Sequence, residues 1–110
     1  MKPIRKRLLI HSATLRQKTG HTDSWQNNDY NDISLTRVRF EPSNKLVQTP
    51  ENQETQLLGI LFYDSVNSRP LNTTFNPDDL LVFNGRTYTI TVVEELYDDE
   101  KLHHYEIGLI

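Results

Sequence analysis

The sequence closes on YDDEKLHHYEIGLI, residues 97–110, which sets Asp98, Asp99 and Glu100 a few residues from the adjacent pair His103 and His104. Carboxylates and imidazoles are the side chains that hold divalent metals and move protons near neutral pH, so this stretch is the first candidate for chemistry. Strand geometry counts against it. Successive side chains of a strand point to opposite faces, so in a regular strand His103, Tyr105, Ile107 and Leu109 share one side, while Leu102, His104, Glu106 and Ile110 share the other. Histidines placed in that way cannot grip one ion together, although a bulge would turn one of them. The spacing also matches no zinc or calcium loop. The residues therefore read as the last hairpin of a β fold, with its acids at the turn and its histidines on opposite faces, and no metal site is expected.

Other stretches supply the residue types of catalysis without the pattern. His11 beside Ser12, His21 near Asp23 and His104 near Glu106 are such pairs, but a nucleophile needs a base, and the base needs an orienting partner. No catalytic residue is expected. The glycines at 20, 59, 85 and 108 are isolated, and none opens a phosphate-cradling turn before a helix, so no cofactor is expected either.

Two groups of residues suit contact better than chemistry. Lys2, Arg5, Lys6 and Arg7 form a basic cluster that could touch DNA phosphates, the more so if several copies are arrayed around a ring. On a single copy it reads as a mobile leader, residues 1–6, that keeps an edge strand soluble. Trp25 and Tyr30 sit in a polar stretch where large aromatics must fold back onto the body or meet a partner. With Leu46 and Val47 they are the candidate subunit or partner contacts.

The elements that must carry these residues are strands. RLLIHSATLR, residues 7–16, mixes apolar, β-branched and polar residues without a helical stripe and predicts a strand. Residues 17–32 are crowded with Gly, Asn, Asp, Ser and Thr and predict a long loop. In ISLTRVRFEP the apolar positions slip from odd (Ile33, Leu35) to even (Val38, Phe40), which predicts a bulge near Thr36 before Pro42 stops the strand. Residues 41–53 predict a second, extended loop. ETQLLGILFYDSVNS, residues 54–68, predicts a strand buried on both faces. Asn76 to Asp79 predict a proline turn. Leu80 to Phe83, the pair Asn84 and Gly85, and the alternating return strand with Tyr88, Ile90 and Val92 predict a two-residue hairpin.

About six strands and no convincing helix in 110 residues predict a single all-β domain, a small antiparallel barrel or sandwich with long polar loops. The absence of cysteine excludes disulfides and thiolate metal sites and fits synthesis in a reducing cytoplasm. A net charge of −3 gives no global attraction to nucleic acid or anionic membranes, so DNA contact would be local and non-specific. The apolar run Leu8 to Ile10 is too short for a secretory signal, and no membrane association is expected.

The segments KPIRKRLLIHSATL, VRFEPSNKLV, GILFYDSVNS, FNPDDLLVFNGRTYTI and LYDDEKLHHYEIGLI, in this order and spacing, resemble the minor capsid protein family of tailed bacteriophages and prophages of Gram-positive bacteria. The resemblance covers almost the whole chain. It implies a structural virion protein of the neck, a head-completion or stopper component that forms a ring beneath the portal and its adaptor and joins them to tail-completion proteins. It brings no catalytic motif and no cofactor. The competing reading is an OB-like barrel that binds oligonucleotides or sugars.

Overall fold

The computed structural model describes residues 2–22, 28–48 and 51–110. Among the described residues eight strands follow one another: β1 (His11–Thr22), β2 (Asn28–Pro42), β3 (Leu46–Gln48), β4 (Glu54–Gln56), β5 (Gly59–Asp64), β6 (Leu80–Phe83), β7 (Arg86–Asp98) and β8 (Lys101–Leu109). Six of them close into an antiparallel barrel in the order β1-β2-β5-β8-β7-β6, with β3 and β4 paired separately. An OB-fold, in contrast, is a five-stranded, partly open barrel.

The interior follows from the alternation along each strand. Leu15, Leu35, Val38, Leu61, Tyr63, Leu81, Tyr88, Ile90, Ile107 and Leu109 point inward and are buried, and Phe75 from the connection between β5 and β6 packs edge-on against Tyr63 and Tyr105. The bulge expected near Thr36 is present. His11 pairs with Val38 and Ala13 with Leu35, so β2 spends one residue more than β1, and Arg37 takes a φ of 56°. The extra residue is why Leu35 and Val38 both reach the core despite their odd spacing. It also turns Thr36 outward, where its N–H and C=O pair with Arg69.

Both predicted turns form. Asp79 N–H donates to the Asn76 carbonyl across Pro77 and Asp78. Asn84 and Gly85 take φ values of 52° and 79°, the left-handed pair that a two-residue hairpin requires. β7 departs from strict alternation: Ile90 pairs with Leu109 and Val92 with Gly108. That bulge sends Val93 to the core and leaves Val92 outside.

Several boundaries differ from expectation. The first strand starts at His11, and Lys6–Leu8 form one turn of 3-10 helix. Most of the 17–32 loop is strand, because two polar strands that pair only with each other need no apolar face to form a ladder. The 41–53 loop contains β3, which pairs with β4 through Val47 and Thr55. This hairpin lies over the barrel's outer surface, with Leu57 buried against Gly108 and the crevice between them lined by Val47, Ile60 and Val92. β5 is buried on its inner face, whereas Ile60 and Phe62 are half-buried and Leu58 is exposed, because neighbouring segments cover the outer face only in part.

Gly59 is where β5 passes the ring of Phe40, which stacks on Phe83 at 4.5 Å. A Cβ at Gly59 would overlap Phe40 Cζ. Gly59→Ala is therefore expected to displace that ring and lower stability by about 1–3 kcal/mol. Chemical denaturation checks this, and an unchanged midpoint would show that the contact is not tight.

Candidate functional site

The outer surface presents three features: an anchored N-terminal segment, a basic groove, and two hairpin arms. The first two depend on bulges in β2 and β8, and the arms on strands of unequal length.

The N-terminal segment is held, in contrast to the mobile leader expected. Asp64, the last residue of β5, is fully buried beneath it. The Asp64 carboxylate accepts the N–H of Ile4 (2.9 Å) at Oδ1 and those of Val66 (3.0 Å) and Asn67 (2.8 Å) at Oδ2. Asn67 Nδ2 donates to the Ile4 carbonyl at 2.8 Å. Ser68 Oγ accepts the Asp64 N–H and donates to the Arg37 carbonyl, tying this turn to the bulge in β2. A buried carboxylate saturated by backbone donors in this way organises the chain around it.

The terminal histidines meet, which overturns their expected placement on opposite faces. In β8, Tyr97 pairs with Leu102 and Leu96 with His104, leaving His103 as the extra residue of a bulge. Its carbonyl accepts from Ser65 N–H (3.1 Å) and Ser65 Oγ (2.9 Å). Its ring turns until its Nδ1 lies 2.8 Å from His104 Nδ1. His103 Nε2 reaches the Lys2 carbonyl at 2.6 Å, and His104 Nε2 reaches Glu106 Oε2 at 2.9 Å. Among the described residues no three His, Asp or Glu side chains are set to hold a metal ion. His11 serves the fold instead of Ser12: its Nδ1 accepts the Phe40 N–H at 3.0 Å, and its ring meets Phe83 edge-on.

The basic groove lies beside the first residues of β1. Lys6, Arg7 and Arg37 line it together with His11 and the hydroxyl-bearing residues Ser12 and Thr36. Arg37 joins the expected basic residues only because of the bulge. Lys2 and Arg5 are exposed but lie outside the groove.

The arms leave the barrel at one end. β5 pairs with β2 only over residues 38–42, and β6 pairs with β1 only over residues 14–16, so the rest of the β1–β2 hairpin projects. β5 likewise reaches β8 only as far as His104. β1 and β7 both run antiparallel to β6 and hence parallel to each other, so both hairpins rise from the same end. On the first arm Tyr30 lies beneath the Arg16 guanidinium, 4.7 Å from its ring centre, and Arg16 also pairs with Asp32. The second arm ends in the turn of Asp99 and Glu100. Tyr97 on this arm donates to Glu95 Oε2 at 2.8 Å, and the hydrogen bond and charge of Glu95 raise its phenol above the ordinary tyrosine value. Tyr105 is raised too, first by burial and then by Glu95.

Of the remaining predicted contacts, Leu46 is 58% exposed on β3, whereas Val47 faces the crevice over the barrel. Trp25 and Asp23 lie outside the described residues, and with Asp23 its expected pairing to His21. Sequence reasoning missed Asp64, whose signal was the run Asp-Ser-Val-Asn-Ser after an apolar strand, a composition that favours side-chain-capped turns.

Asp64→Ala removes the acceptor of three backbone donors. The expected loss is about 1–3 kcal/mol, the cost of leaving such groups unpaired. It should be accompanied by faster hydrogen exchange at Ile4, Val66 and Asn67. Loss of stability without faster exchange at Ile4 would show that the N-terminal segment is held by other means.

A family model described as minor capsid protein matches residues 5–109. No curated protein matches the chain.

Proposed function

Since the chain belongs to the minor capsid protein family and is thus a structural phage protein and a virion component, we propose that it acts at the neck as a stopper-type head-completion connector. Copies assemble as a ring beneath the portal and adaptor, and the ring offers its other side to tail-completion proteins. Subunits of such a ring meet head to tail, through different surfaces on each partner.

The observation that carries this reading is the pair of arms, β1–β2 and β7–β8, that leave one end of a closed barrel. Closure leaves the body without a free edge to recruit a neighbour, so contacts between copies fall to the arms, the β3–β4 hairpin and the N-terminal segment. Charge supports a directional contact. The tip of the second arm carries Asp98, Asp99 and Glu100 against Lys101, while Lys6, Arg7 and Arg37 gather beside the start of β1, away from the arms. A head-to-tail approach brings unlike charges together and disfavours the reversed approach. Tyr30 and Leu46 are then subunit or partner contacts. Lys2, Arg5, Lys6 and Arg7, where they line the channel, touch packaged DNA without reading its sequence.

The test is genetic. Removing this gene from its phage is expected to give separate heads and tails by electron microscopy, with normal numbers of joined virions restored by the gene in trans. Virions that remain joined without the protein would exclude the connector role.

A further inference from the structure

We infer that His103 and His104 form a binding site for one shared proton, and that this proton latches the N-terminal segment onto the barrel. The inference rests on hydrogen accounting. It does not depend on the connector role.

The two rings have four nitrogens and make three contacts. A backbone carbonyl only accepts, so His103 Nε2 carries a hydrogen toward Lys2. An ionised carboxylate also only accepts, so His104 Nε2 carries one toward Glu106. The facing Nδ1 atoms, 2.8 Å apart, need a third hydrogen between them. Two neutral imidazoles supply two hydrogens and would set lone pair against lone pair. Two imidazoliums supply four and would set N–H against N–H. Only the singly protonated pair satisfies every contact, and its one positive charge lies beside Glu106.

The surroundings fit a single cation. Asp64 pairs with His104 across β5 and β8, but its oxygens are engaged by backbone N–H groups. From β7, Glu94 and Glu95 pair with Glu106 and Tyr105. Arg39, which bonds Glu41, lines the same outer groove as His104. The Phe62 ring stacks on His104 at 6.3 Å and shields it from one side. From the N-terminal segment the dyad receives the Lys2 carbonyl and not its ammonium.

With no proton or two between them the facing Nδ1 atoms repel, and a ring that turns to relieve this carries His103 Nε2–H away from the Lys2 carbonyl, so the latch is closed with one proton and open with none or two. Histidine is the side chain that makes such a change between pH 5 and 8. Opening would release the Lys2 end of the segment and, with it, the placement of Lys2 and Arg5.

The test is NMR on the 15N-labelled full chain between pH 5 and 9, a window above the ordinary carboxylate range. Imidazole 15N spectra are expected to show one hydrogen shared between the two Nδ1 atoms over the pH range in which Ile4 is protected. Protection of the Ile4 amide, corrected for intrinsic exchange, is expected to fall about tenfold, as for loss of about 1.4 kcal/mol, from neutral pH to pH 5. His103→Phe should abolish this pH dependence while keeping Asp64. Two independently titrating imidazoles in the wild type, or Ile4 protection that does not vary with pH, would overturn the inference.

Discussion

Closure of the barrel is the constraint on which the rest of the structure depends. It rests on a short ladder, Thr14 to Arg16 of β1 against Val82 to Leu80 of β6. That contact pairs the first and last strands of what would otherwise be an open sheet, and it encloses Leu15 and Leu81 completely. Because β6 is four residues long while β1 and β7, which flank it, are far longer, closure also forces the unmatched lengths of β1–β2 and β7–β8 to project together. The arms follow from strand lengths, and no separate element is needed to build them.

Bulges do the remaining positioning. The extra residue in β2 keeps Leu35 and Val38 in the core, frees Thr36 to pair with Arg69, and aims Arg37 toward Lys6 and Arg7. The one in β8 turns His103 onto His104 and brings the pair to the N-terminal segment. Between them lies the Asp64 turn, which bonds both the β2 bulge, through Ser68, and Ile4. Core alternation, basic groove and N-terminal anchor are thus linked through hydrogen bonds from side chains to the backbone, at bulges that re-aim the side chains beside them.

The all-β class, the Thr36 bulge and the Asn84–Gly85 hairpin were legible in the sequence, because each has a local cause: alternation, its slip, or a residue pair that accepts left-handed backbone. The polar arm over residues 17–22 and 28–32 was not, since two solvated strands pair by backbone bonds and leave no apolar signal. Nor was the β3–β4 hairpin, which holds its place through Val47 and Leu57 against a surface that exists only once the barrel has closed. His103 and His104 were recognised as residues of interest and placed on opposite faces, because the rule of alternation holds only until a bulge breaks it. The bulge itself depends on Ser65, nearly forty positions earlier in the chain, which receives the displaced carbonyl.

The chain belongs to the minor capsid protein family, and its proposed place as a directional subunit of the phage neck turns on the arms at one end of a closed barrel. The most direct measurement is a reconstruction of the intact virion by electron cryomicroscopy at a resolution that traces strands. The expected result is a ring of six-stranded barrels between the portal–adaptor assembly and the tail, with each β7–β8 arm reaching the next copy. Density for this barrel on the capsid shell, and none in the neck, would contradict it.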